Sequence, residues 1–157
     1  MLIGNLLLAL AWAALQAELS LANLLTGYVL GYLILLLLTR GGVLGESRYV
    51  GKLTMALGLA AFFLRELVHA NLRLARDVVS PRNHIRPGIV AVPLDAASDG
   101  EILLLTALIN LTPGSVALDV SADRKLLYVH SMYVDSAEAA RAEIKHGYER
   151  RVLNLLR

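Results

Sequence analysis

Cysteine is missing from this 157-residue chain. Its absence removes disulfides, thiolate nucleophiles and Cys-ligated zinc or iron-sulfur sites together. Charge is almost as scarce at the N-terminal end, where residues 1–38 hold a single charged side chain, Glu18. A cleaved signal peptide needs a basic leading region, so the first apolar segment is expected to be retained. From residue 81 onward Lys and Arg balance Asp and Glu, and a balanced domain has no electrostatic footprint for nucleic acid. Nor is there a phosphate loop, dinucleotide fingerprint, nucleophile elbow or metalloprotease helix. The four histidines, His69, His84, His130 and His146, lack metal-ligand spacing with one another or with carboxylates. The residues thus read as a non-enzymatic protein with neither metal nor cofactor, and His130 as a surface or structural residue of a strand.

What the chain has in abundance is apolar surface: 57% of residues are hydrophobic and the mean hydropathy is +0.60. A soluble domain averages well below this, so a membrane protein is expected. The apolar residues concentrate in the first half. Three transmembrane helices are expected, at about 2–17, 19–39 and 50–79, the last extending beyond the membrane. A small domain of soluble make-up would follow at 81–157. The first segment is barely long enough to cross, with Trp12 as an interface anchor and Gln16 and Glu18 near the far side. In the second, Gly27 and Gly31 form a small-xxx-small pair flanked by Tyr28 and Tyr32, a packing face for segment one or for a partner subunit.

The third segment changes character along its length. After Lys52 it is apolar to Leu64; then come Arg65, Glu66, His69, Arg73, Arg76 and Asp77. At about 100° per residue these six share roughly a third of the circumference. One reading is a solvated face on a helix leaving the bilayer, with Glu66, His69 and Arg73 paired at helical spacing and Arg65 snorkelling to the headgroups. The sharper alternative is an ion or proton relay through Glu66 and His69, because ionisable groups inside a membrane are costly and kept for use. Three crossings would put the C-terminal domain opposite the N-terminus. Arg65, Arg73, Arg76, Arg82 and Arg86 outnumber Arg40, Arg48 and Lys52, so the positive-inside rule places that domain in the cytoplasm.

Residues 83–87 read as a polar linker. Residues 88–94, apolar on both faces, read as a covered strand. Ser98 with Glu101 forms a capping box for a helix over 99–111. Ten apolar residues from Ile102 cover about 15 Å, half a hydrocarbon core, so this greasy stretch is expected in a soluble core rather than in lipid. Thr112-Pro113-Gly114 stops the helix and turns the chain. Val116, Leu118 and Val120 then alternate as one side of a strand, 126–134 gives a third strand, and Asp135 with Glu138 caps a last helix whose inner face carries Ile144, Tyr148, Val152 and Leu155. The expected fold class is an α-helical transmembrane half plus a small α/β domain of order βαββα. Its first two strands would be joined by a crossover helix and run parallel, with the second and third forming a hairpin.

The wording of this second half is specific. Arg86-Pro87-Gly88, Leu108-Ile109-Asn110-Leu111-Thr112-Pro113-Gly114, Leu118-Asp119-Val120-Ser121, Asp123-Arg124, Tyr128-Val129-His130 and Glu149-Arg150-Arg151-Val152 resemble the E subunit of the multisubunit Mrp (Mnh) type cation/proton antiporters of bacteria. Upstream, Glu66-Leu67, Ala70-Asn71 and the Gly27, Gly31 pair look like the same family. Asn110 and Ser115 stand where the family often has threonine, each keeping a small polar residue. The resemblance implies an accessory, structural subunit of a plasma-membrane complex that exchanges Na+ or another monovalent cation for H+. Its partners would be the other antiporter subunits and membrane lipid, with the cation and H+ handled mainly by two large subunits similar to those of respiratory complex I. Direct participation of Glu66 and His69 in the ion path, or a free-standing membrane-anchored binding module, are the alternatives.

Overall fold

A computed structural model describes residues 1–43, 48–80 and 85–157. Arg82 and His84, and with them residues 83–84 of the expected 83–87 linker, lie outside the described residues. The chain divides into two compact units, Met1–Thr54 and Met55–Arg157.

The first unit is helical. α1 (Leu2–Leu15) and α2 (Leu21–Arg40) form an antiparallel pair, joined by a turn in which Ala17 takes a positive φ of 54°. Ser20 caps α2, its hydroxyl accepting from the Asn23 amide. The packing seam is made of small residues. Ala9 and Ala13 on α1 are buried against the α2 face that carries Gly27 and Gly31. A β-carbon on Gly27 would fall 2.8 Å from the Trp12 Cβ and 2.9 Å from the Ala9 Cα, so only glycine admits this approach. Trp12 is therefore a packing residue beside Gly27. At 14 residues α1 measures about 21 Å, short of a hydrocarbon core near 30 Å. Two helices, Leu21–Arg40 and Tyr49–Val79, are long and apolar enough to cross a membrane by length and composition. The third expected crossing, α1, falls below that length.

α3 (Arg48–Val79) begins in the first unit and continues into the second. In the first, Tyr49, Val50 and Leu53 meet Tyr32, Leu35 and Leu36 of α2.

The second unit contains a three-stranded sheet in the order β1-β3-β2: β1 (Gly88–Pro93), β2 (Ser115–Val120) and β3 (Leu126–Ser131), antiparallel at both pairings. β1 and β2 do run parallel to each other, as the crossover helix α4 (Asp99–Leu111) requires, but β3 is inserted between them. The Ser98–Glu101 capping box is present in full. The last helical stretch, Ala137–Ala142 (α5) and Arg150–Leu156 (α6) with a π-helical segment Glu143–Glu149 between them, starts on Ser136 rather than Asp135. Ser136 wins because its short hydroxyl reaches the Ala139 amide at 3.1 Å.

One core joins Val90 and Val92 of β1, Leu127 and Val129 of β3, Leu105, Leu108 and Ile109 of α4, Tyr148, and Val152 of α6. Two expectations change here. β1 is covered on one face only, since Ile89 is exposed. In β2 the register shifts between Ala117 and Asp119, so that Ala117 and Val120 meet the core while Val116 and Leu118 point outward. The bulge inverts the inside-outside phase half-way along the strand, which a strict two-residue period does not reveal.

Leu59 of α3 is buried in this same core, with Phe62 and Phe63 packed against it. The apolar run that reads as membrane span thus partly serves the α/β unit. Phe62 stacks edge-on with Tyr148 at 5.2 Å between centroids and lies under the Arg151 guanidinium at 4.0 Å. Gly147 leaves room for the ring.

Candidate functional site

The polar stripe of α3 does not simply face water. Glu66, His69, Ala70 and Arg73 line one wall of a cavity of about 100 Å³. The opposite wall is built from Ile109 of α4, the Thr112-Pro113-Gly114 turn, Ser115 of β2, Ser131 at the end of β3 with Tyr133 beyond it, and Ala140, Glu143, Ile144 and Tyr148 of the last helical stretch. The two features singled out in separate parts of the sequence, Glu66 with His69 and Thr112-Pro113-Gly114, therefore meet at one site.

The turn is held from several directions. Thr112, at the C-cap of α4, donates its hydroxyl to the Leu108 carbonyl and contacts the Tyr148 hydroxyl at 3.3 Å. The Ser115 hydroxyl donates to the Ile109 carbonyl at 3.0 Å. Gly114 adopts a φ of +91°, beside the Tyr133 ring, so a side chain there is strained by the backbone conformation. Asn110 accepts the Ala117 amide through its side-chain oxygen at 2.8 Å, fastening β2 to the helix before it.

Charge gathers on the other side of the cavity. Glu66 is paired with Arg65 at 3.0 Å rather than with His69 or Arg73. Arg73 lies over the Tyr133 ring at 5.1 Å, and the Tyr133 hydroxyl donates to Asp77 at 2.6 Å. That bond, with burial, raises the Tyr133 pKa. Glu143 opens the π-helical segment; burial of its carboxyl on the cavity side raises its pKa, the charge of Glu66 raises it further, and Arg73 opposes both. Its outer surface remains exposed, which limits the size of that shift. Burial likewise raises the Tyr148 pKa, against the hydroxyl–hydroxyl bond shared with Thr112. Two carboxylates, an imidazole, a guanidinium and several hydroxyls share this small space. Proton exchange is chemically open to such a set, and the wall-to-wall contacts also serve to seat α3.

Sequence reasoning missed Arg73's ring partner Tyr133, and Glu143. A helical wheel of the last segment drawn at 100° per residue hides Glu143, because the π-helical segment rotates the face. Glu149 was missed as well. It is 1% exposed, accepts the Asp95 and Ala96 amides at 2.6 and 2.9 Å and meets the Lys145 ammonium at 2.8 Å. Lys145 also donates to Asp95 and to the Pro93 carbonyl. Burial works against its charge, but the two carboxylates outweigh it and the pKa is raised. Glu101 receives Arg157 at 2.9 Å and the Ala97 and Ser98 amides, contacts that hold its pKa at about 2. Lys145 and Arg157 are thus tied to buried acids that pin the loop after β1. Among the described residues no group of three or more His, Asp or Glu could hold a metal ion.

Of the other predicted positions, Gly27 and Gly31 lie against α1 of the same chain, where a side chain on Gly31 would meet Asn5 and Leu8. His130 is half-buried in β3 opposite Ile89 and Val116, and His146 is exposed.

A profile of the family described as "Na+/H+ ion antiporter subunit" matches residues 5–155. The chain is similar to the E subunit of the Na(+)/H(+) antiporter of Bacillus subtilis, 37% identical over 98% of this chain and 96% of that one. It is also similar to the corresponding E subunit of Alkalihalophilus pseudofirmus, 36% identical over 96% and 94%. Among solved structures, a chain of the Mrp complex from Dietzia sp. superposes with a TM-score of 0.50 at 29% identity, covering 65% of this chain and 94% of that one. A chain of the membrane-bound sulfane sulfur reductase, an archaeal respiratory membrane complex, shares the fold at a TM-score of 0.53 and 24% identity over 98% and 95%.

Proposed function

The chain belongs to the family of Na+/H+ antiporter E subunits, and on that premise we propose that it is an accessory, structural part of the multisubunit Mrp-type complex. It is a membrane-located transporter subunit, and its partners are the other antiporter subunits. The observation that carries the accessory role is the way the ionisable residues are used. Arg65 pairs with Glu66 within α3, and Lys145 with Glu149 within the last helical stretch. Tyr133 to Asp77, Arg157 to Glu101, and Glu149 to the amides after β1 each join separate elements of the fold. These charges hold shape; exchange of cation for proton then falls to the partner subunits. Tagging the C-terminus and solubilising the membrane gently should recover the other antiporter subunits in fixed ratio. Recovery of the lone chain would sink the proposal.

We further place residues 1–80 as the membrane part and 81–157 as a cytoplasmic α/β domain of order βαββα in a bacterial plasma membrane. α2 crosses, α1 lies beside it without the length to cross unaided, and α3 extends from the membrane into the α/β unit, whose core takes in Leu59. The arginines from Arg65 onward support a cytoplasmic exit. The chain has no native cysteine, so Asn154→Cys gives a single label site. An impermeant maleimide should label it in inside-out vesicles and not in intact cells, and the reverse pattern would invert the topology.

A further inference from the structure

α3 has two long faces within the second unit, and only one is covered. Leu59, Phe62 and Phe63 pack on the α/β core, and Glu66 and Arg73 line the cavity further along that side. On the opposite side Leu57, Leu64, Val68, Leu72 and Val79 follow one another at spacings of seven, four, four and seven, which keeps them in one row along the helix. Each is more than half exposed. The row extends 22 residues, about 33 Å. A contiguous apolar stripe of this length on an otherwise folded unit marks a surface that something covers.

Lipid is a poor cover for most of it. Val68, Leu72 and Val79 lie on the turns that carry His69, Arg73, Arg76 and Asp77; His69 and Arg73 line a polar cavity, and Asp77 accepts the Tyr133 hydroxyl. Hydrocarbon at that depth would surround a cluster of ionisable groups at high cost, whereas a protein neighbour can be apolar on the stripe and polar beside it. The flanks of the row say what that neighbour carries. Arg65 and Arg76 both fall on one edge, eleven residues and about 16 Å apart, and both are exposed, Arg65 while it also reaches Glu66 at 3.0 Å. The other edge holds Leu67, Asn71 and Val78, with no charge.

We propose that the Leu57 to Val79 face of α3 is the docking surface for an apolar helix of another subunit of the complex, one that places carboxylates along the edge facing Arg65 and Arg76. The proposal rests on the accessory-subunit reading and specifies the surface through which it works. Acidic groups there would meet the two guanidiniums at a partly dried rim, where charge fixes register and orientation more than affinity. The apolar row would supply the burial.

The native chain has no cysteine, so Val68→Cys and Leu72→Cys can each carry a benzophenone maleimide in the assembled complex within native membranes. Photolysis should give an adduct between this chain and one other antiporter subunit from both positions. Arg65→Glu with Arg76→Glu should lower recovery of that same subunit severalfold, and restoring the arginines should recover it. If the tag still brings down the complex but the probes mark only lipid, or only a second copy of this chain, the docking surface is wrong and the accessory role stands. If the tag brings down no other subunit, both are wrong.

Discussion

The interiors of the two units are built by opposite means. In Met1–Thr54 backbone lies against backbone: Gly27 and Gly31 admit Ala9, Asn5 and Leu8 to distances no larger side chain permits, and the adhesion is dispersion along a narrow seam. In Met55–Arg157 the core is built from large residues, Leu105, Ile109, Leu127 and Tyr148 among them, and its margins are fixed by buried acids with dedicated cations. Where lipid surrounds a helix pair, exclusion of water adds nothing between helices and close approach is what remains. In water, burying large side chains is the stronger source of stability. A three-stranded sheet supplies little area to bury, which is why its core takes in Leu59, Phe62 and Phe63 from the apolar run of α3.

The sharpest way to break the comparison is to deny the second unit that helix. Residues 81–157 expressed alone lack α3 and should fail to give a cooperative thermal transition, whereas 55–157 in mild detergent should melt as one unit by far-UV circular dichroism. A soluble, cooperatively folding 81–157 would show that the sheet domain is self-sufficient. Next in size is the seam of the first unit. Gly31→Leu would drive a side chain into Asn5 and Leu8 and should cost about 1–3 kcal/mol or more through overpacking, seen as lost expression and a lowered melting temperature. Gly51, in α3 of the same unit, meets nothing within 4 Å in this chain. Gly51→Ala should therefore be neutral or stabilise by about 0.5–1 kcal/mol, and equal damage from both would mean the seam is not what holds the pair.

Much of this difference could be read from the residues alone, and the parts that could not share a cause. The Gly27 and Gly31 pair, the capping box at Ser98 and Glu101, and the stop at Thr112-Pro113-Gly114 are local signals, decided by residues within a turn of one another. The small-residue row facing the glycines, Asn5, Ala9 and Ala13, was equally local at a four-residue spacing but lay inside an apolar run that masks it. What stayed hidden was non-local. The β2 bulge is set by pairing with β3, the π-helical segment by the packing of Tyr148 on Phe62 and Thr112, and the cavity by side chains from α3, α4, β2, β3 and the last helical stretch. Glu66 and His69 were legible as unusual, but their neighbour Glu143 was not.

A smaller effect separates the buried acids from the hydrophobic core. The Glu101 pKa is lowered to about 2 by Arg157 first and then by the Ala97 and Ser98 amides, against about 4.3 in an unfolded chain. A depressed carboxyl contributes stability that is present above the unfolded value and lost as pH falls through the folded one. The melting temperature of the wild-type chain should therefore drop between about pH 4.5 and 2. Glu101→Gln should start lower at pH 7 and show a flatter decline over that window. Parallel curves would mean that Glu101 is not linked to folding.

The smallest expected effect concerns transport itself. Glu66→Gln keeps the shape of the side chain, removes one exposed pairing with Arg65 and withdraws the charge that helps raise the Glu143 pKa. An ion pair whose arginine is 67% exposed contributes little to stability, so the complex should assemble normally. If this chain only holds shape, antiport rate and its pH profile should match wild type, because the proton that Glu143 exchanges goes nowhere. A profile displaced along the pH axis, with assembly intact, would instead make Glu66, His69 and Glu143 part of the path. It would also turn the difference between the two units into one between a scaffold and a working site.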